Sequence, residues 1–240
     1  MTRILIPTKS FEDWKRLVAK PDLHWKASFS AMTLARAWED AKGSGFPPEI
    51  SALLQTAGRA DWKDLRPLLA IPEYKVPLPG GSRASQTDLA VLARGTDGLL
   101  ALAVEGKVDE SLGPTVAQQR KGSSKGAAAR LSYLCELLGV AGECPGEIRY
   151  QLLHRTVSAI QIARDFFADS AAMIVHSFSP DNKWLGDFRK FAAMLGTQVE
   201  SGNLVAVGER GGVRLYLGWA TGNQRFRSNP LIEKRPSRLK

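Results

Sequence analysis

Several things are scarce in this chain, and each scarcity removes a class of function. Two cysteines in 240 residues, Cys135 and Cys144 with no metal-ligand spacing around them, rule out a disulfide framework and a zinc knuckle. The three histidines, His24, His154 and His176, are far apart in sequence and form no paired metal spacing. Neither cysteine has an evident histidine partner, which argues against a cysteine nucleophile. No apolar run approaches the roughly 18 residues of a membrane span, and the N-terminus lacks the long apolar stretch of a signal peptide. A cytoplasmic protein with no membrane partner is the expectation. Gly80-Gly81 and Gly211-Gly212 lack the lysine of a phosphate loop and read as turns.

Acidic residues are also short relative to basic ones. The net charge of +9 and pI near 9.7 favour a polyanionic partner such as nucleic acid. Residues 118–130 carry Arg120, Lys121, Lys125 and Arg130 with no acid among them. The last sixteen residues carry six cations, including Arg225, Arg227, Lys234 and Lys240, against Glu233 alone. The hydrophobic fraction of 44% is that of an ordinary globular protein, and this length suits one core better than two.

The most informative stretch is 85–107. Two apolar runs flank the loop Gly95 to Gly98, the pattern of a β-hairpin. Leu99 to Val104 has no polar member, so both its faces should be buried, as in a central strand. If Arg94 pairs with Leu99 across the loop, the register sets Asp88 opposite Glu105. Directly opposed residues share a face, as do positions two apart on one strand, so Asp88, Glu105 and Lys107 should cluster. Two carboxylates side by side in a half-buried place call for neutralisation, and a divalent metal ion is the preferred answer. Mg²⁺ (or Mn²⁺) takes oxygen ligands and keeps several waters, so two carboxylates suffice. Lys107 would then position the attacking water or stabilise the charge of a phosphoryl transition state.

Around this hairpin the pattern reads as follows. Ile4 to Ile6 is a short strand, and Ser10 with Asp13 forms a capping box for a helix carrying Trp14 and Leu17. Ser30 caps a second helix, Pro47-Pro48 opens a third (Glu49 to Ala57), and a fourth spans Asp61 to about Leu69. Ile71 to Pro79 suits an edge strand. Lys121 to Ala129 reads as a mobile low-complexity segment, then come helices at Arg130–Leu138 and at 147–167, the latter with Leu152, Leu153, Val157 and Ile160 inward. A buried strand at Ala171–Phe178, a helix at Asp181–Leu195 and a hairpin at 203–219 close the pattern. The sum is an α/β (α+β) domain whose mixed sheet is flanked by helices. Gln151, Arg155 and Ser158 make a polar stripe on the otherwise apolar long helix.

Asp88 on one strand and Glu105-Gly106-Lys107 at the end of the next resemble the Asp-(x)n-Glu-x-Lys signature of the PD-(D/E)XK, or restriction-endonuclease-like, superfamily, with Thr87 where a proline often precedes the aspartate. The segments Pro72 to Gly81, Val104 to Val108 and Arg149 to Arg155 are similar to a bacterial family of uncharacterised proteins within it. That resemblance implies an αβββαβ core over residues 45–180, with an N-terminal helical extension (1–44), a C-terminal helix and hairpin (181–222) and a basic tail (223–240), all in one domain. It implies a metal-dependent nuclease acting on DNA (or RNA), with Asp88 and Glu105 as metal ligands and Lys107 catalytic. A helix before the first core strand often adds an acid, which points to Glu49, with Glu39 behind it. Gln151, Arg155, Arg120, Lys121 and Lys125 are the candidate phosphate contacts. A nuclease fold that only binds nucleic acid, or a protein-interaction component of a multi-gene system, are the alternatives, and the N-terminal helices or closing hairpin are available for recognition or homodimer formation.

Overall fold

A computed structural model describes residues 3, 4, 8 and 10–228. Seven strands form one mixed sheet in the order β1-β2-β3-β4-β5-β7-β6. β1 (Arg3–Ile4), β2 (Arg66–Val76), β3 (Ser85–Arg94) and β4 (Leu99–Lys107) start it, and β5 (Ser170–Ser177), β6 (Leu204–Arg210) and β7 (Val213–Thr221) complete it. β2, β3 and β4 run antiparallel to one another, while β5 lies parallel to both β4 and β7. Leu5 and Ile6 of the expected first strand, and the tail cations Lys234, Arg235, Arg238 and Lys240, lie outside the described residues.

Alternation along the strands sorts the core into two layers. Leu89, Val91, Leu100, Leu102, Val104 and Ile174 face one side, where α2 (Ser30–Asp40) and α3 (Pro48–Gln55) pack with Leu34, Ile50, Leu53 and Leu54. Ala90, Leu92, Ala101, Ala103, Met173 and Val175 face the other. There α6 (Tyr150–Asp165) carries Leu152, Leu153, Val157 and Ile160 onto the sheet, flanked by α5 (Lys125–Leu137) and α7 (Leu185–Met194). Each such side chain, fully buried, stabilises by about 1.5–3 kcal/mol. The short helices α1 (Pro21–His24) and α4 (Val116–Arg120) sit in connections, and a 3₁₀ helix at Phe11–Leu17 carries the Ser10/Asp13 capping box.

The hairpin register is as expected: Arg94 pairs with Leu99 and Leu89 with Val104, which leaves Asp88 and Glu105 as the next opposed positions. Phe29, not Ser30, holds the N-cap position of α2, with no side-chain cap bond, and β2 is paired on both sides, by β1 and β3, so it is not an edge strand. Three further expected elements differ. The helix over Asp61–Leu69 is only a 3₁₀ turn at Ala60–Trp62, and β2 starts at Arg66. Pro67 cannot donate to a ladder, and the strand accommodates it with a register shift between Pro67 and Leu69. The low-complexity segment is helical from Lys125, because the Ser124 hydroxyl accepts from the Ala127 N–H as an N-cap. The helix after β5 begins at Leu185, since Asn182 and Trp184 take left-handed φ values of 49° and 75°.

Candidate active-site cleft

At the end of β3 and β4 the sheet opens into a cleft of about 580 Å³ whose lining includes Glu73, Asp88, Glu105, Lys107, Gln151 and Arg155. Strand alternation puts Glu105 and Lys107 on the face of Ala101 and Ala103, and that is the face α6 covers. Gly106, between them, points the opposite way, and a Cβ there would meet Leu34 Cβ at 3.1 Å. The small middle residue thus lets α2 pack close behind the site.

Glu105 is the centre of the cluster, and both its carboxylate oxygens accept from protein donors. Oε1 accepts from Lys107 Nζ at 2.8 Å and from Gln151 Nε2 at 2.6 Å, and Oε2 accepts from Arg155 Nε at 2.5 Å. Burial pushes its carboxyl up, but Arg155 and Lys107 together outweigh that and hold it down at about 2. Asp88 has no such cation in direct contact. Its Oδ2 accepts from the Gly106 N–H at 3.0 Å, and Arg155 Nη2 stands 3.7 Å from Oδ1. Burial, then the neighbouring Glu105 charge, push Asp88 up to about 7. Arg155 also donates to Ser85 Oγ at 3.1 Å, and Ser85 bonds Ser158 and His154 Nδ1, both at 2.9 Å. Burial and Arg155 press His154 down to about 3, which keeps it neutral.

Glu73 is the member that reading the sequence missed. β2 pairs Pro72 with Leu89 and Tyr74 with Thr87, so Glu73 stands opposite Asp88 and the row runs Glu73, Asp88, Glu105 across three strands. Its φ of 54° is a left-handed conformation costing about 1–3 kcal/mol for such a residue. Gln86 Nε2 donates to Glu73 Oε2 at 2.7 Å, and burial followed by the Asp88 charge push Glu73 up to about 8. A sequence signal existed: Glu73 is the one acid inside a proline-punctuated strand directly preceding the hairpin.

The remaining expected residues are elsewhere. Glu49 lies on the opposite face of the sheet, where its Oε1 meets Nε2 of the buried His176 at 2.8 Å, so it does not join Asp88 and Glu105. Even-numbered positions of β5 face α3, and this is why the two groups cannot meet. Glu39 is held by Thr8 Oγ1 at 2.7 Å and Trp14 Nε1 at 2.8 Å, also away from the cleft. Arg120 pairs with Glu143 at 2.8 Å and lines a second cleft that holds Cys135 and Cys144. Lys121 and Lys125 are exposed and outside the lining of the main cleft.

The chemistry of the donor set suits a hard divalent cation in part. Three carboxylates face two cations, leaving negative charge that Asp88 and Glu73 relieve by holding protons, and a metal ion displaces such protons. Among the described residues no three His, Cys, Asp or Glu side chains converge as a ready-made metal cage. Magnesium, which binds through one or two carboxylates and keeps waters, is the ion this arrangement fits. Among the described residues no helix is long and apolar enough to cross a membrane. No curated protein and no solved structure matches the chain. Residues 7–224 match DUF6946, a domain of unknown function, and the chain belongs to that family.

Proposed function

We propose that the cleft is a Mg²⁺-dependent phosphodiesterase site of PD-(D/E)XK type, acting on DNA (or RNA). The observation that carries this reading is the convergence of Asp88, Glu105 and Lys107 from two paired strands with Gln151 and Arg155 from α6. The order α3, β2, β3, β4, then the helices α4, α5 and α6 before β5, is compatible with it. Asp88 would hold the ion, with an oxygen of Glu105 beside it. When bound, such an ion lowers the pKa of water and neutralises charge on the phosphate oxygens. Lys107, buried and hydrogen-bonded to Glu105, is fixed where an ammonium can orient the attacking water. Arg155 presents a planar donor fork, and an arriving phosphate can share the guanidinium that now serves Glu105 and Ser85.

Purified protein with Mg²⁺ or Mn²⁺ should cut at least one of linear DNA, plasmid DNA and RNA, and Glu105→Ala and Lys107→Ala should each abolish cutting. Cleavage that survives Glu105→Ala in a clean preparation sinks the assignment. A second reading, a nuclease fold that binds nucleic acid without cutting it, is favoured by the engagement of both Glu105 oxygens with protein donors. It calls for salt-dependent binding indifferent to Mg²⁺ and no cleavage across the same substrates.

A further inference from the structure

Resting on the reading that phosphate esters enter the cleft, we infer that it takes one unpaired nucleotide at a time, at a strand end or single-stranded segment, and not an internal bond of intact duplex. Three observations lead there.

The first is the depth of the reacting groups. Lys107 and Glu105 are buried, with side chains 7% and 2% exposed. The lining around them also includes Val18 and Ala19 from the N-terminal segment, Gly113 and Pro114, and Tyr150 and His154 of α6. A volume of about 580 Å³ is that of a pocket for one small ligand. A terminal or splayed-out phosphate reaches buried groups of this kind more readily than one held inside a stacked duplex.

The second is charge. Duplex DNA carries one negative charge per about 1.7 Å of axis and is met by open basic surfaces. Here the lining carries four carboxylates, Glu73, Asp88, Glu105 and Glu110. Its cations are already engaged: Lys107 and Arg155 on Glu105, and Arg130 on the carbonyl oxygens of Leu78, Pro79 and Gly81 at 3.0, 3.0 and 3.1 Å. One phosphate with its counter-cation is accommodated, and a run of them is not.

The third is an aromatic face beside the phosphate donors. Tyr150 is half-buried in the cleft wall, packed against the His154 ring with centroids 5.3 Å apart and a 52° tilt. It is the neighbour of Gln151 and lies about one turn from His154 and Arg155 along α6. A base whose phosphate reaches Lys107 and Arg155 would meet this ring, and base–aromatic stacking is available only to an unpaired base.

The test combines binding and cleavage. Anisotropy of a fluorescein-labelled oligo-dT octamer, measured in Ca²⁺, is competed with unlabelled octamer or with relaxed, covalently closed duplex plasmid at equal nucleotide concentration. The octamer should compete at least about tenfold better. Tyr150→Ala should weaken octamer binding about tenfold at a temperature where circular dichroism shows the variant folded, while Tyr150→Phe should not. Equal competition by the closed duplex, or octamer binding indifferent to Tyr150→Ala, overturns the inference. With Mg²⁺, cutting of the closed duplex as fast as the octamer overturns it while leaving the phosphodiesterase reading intact. Tyr150-dependent octamer binding without any cleavage does the reverse. Failure to bind either nucleic acid overturns both.

Discussion

Arg155→Met tests whether α6 holds the acidic row together. The guanidinium is buried, bonded to Glu105 and Ser85, and 3.7 Å from Asp88. Removing one partner of a buried ion pair costs about 3–5 kcal/mol, because the other charge stays buried. Glu105 keeps Lys107 and Gln151, which places this case near the lower end, about 3 kcal/mol. For a chain of this size that is a fall in thermal midpoint of roughly 6–12 °C. Glu105→Gln with Arg155→Met leaves a neutral amide where a charge was stranded, so the double variant should cost less than the two single changes added, by at least about 1 kcal/mol. Urea unfolding at pH 7 without divalent ions, followed by far-UV circular dichroism, measures the cycle. An Arg155→Met cost below about 1 kcal/mol, or additivity of the two changes, would refute the account of Glu105 as an anion held by its cations.

Other outcomes follow from the same geometry. Asp88 and Glu73, held at about 7 and 8, keep protons that the unfolded chain has released by about pH 5, so their contribution to stability is complete below about pH 4 and is lost as pH rises through 7 and 8. Glu105, held at about 2, contributes above about pH 4 and loses that as pH falls through 2. The urea midpoint should therefore fall from about pH 4 to about pH 8 in the wild type and fall less in Asp88→Asn, and a parallel pair of profiles would contradict these assignments. Added Mg²⁺ should raise the thermal midpoint more at pH 8 than at pH 6, since protons compete for the same carboxylates, and calorimetric scans at both pH values check it. Gly106→Ala should destabilise by about 1–3 kcal/mol through overpacking on Leu34, read as a lowered urea midpoint, and an unchanged midpoint would contradict the close packing of α2 behind the site.

Much of this arrangement was legible because the hairpin carries its own register. An apolar run with no polar break identifies a central strand, and a four-residue loop fixes which residues oppose, so Asp88, Glu105 and Lys107 could be placed together from letters alone. The polar stripe Gln151, Arg155, Ser158 was equally visible against an apolar helix, and all three take part in the cluster or its Ser85 support. Glu49 failed because helical position says which residues face the sheet, not which face of the sheet the helix covers. Glu73 was hidden because the pairing of β2 depends on a shift at Pro67, and its own left-handed backbone breaks the alternation that pattern reading assumes. The basic stretch at 120–125 lies away from the cleft: Arg120 is engaged locally with Glu143 and the Cys144 carbonyl, a placement that composition does not reveal.

The row of three acids is uneven, and the unevenness is what chemistry needs. Glu105 has two cations in contact, and they hold its carboxyl down at about 2. Asp88 and Glu73 share those cations only at a distance, so each ionises near neutral pH and at the expense of the other. Carboxylates whose environments drive their pKa values apart supply, within one cleft, a fixed anion and groups able to exchange a proton for a metal ion. A purely structural salt bridge would pair charges one for one and leave none poised. Here the fold places a third carboxylate beside two, spends a strained backbone at Glu73 to do so, and opens a cleft above them. Under the proposed function Asp88 would hold the ion with Glu105 beside it, and Glu73 is the third carboxylate whose charge such an ion would offset.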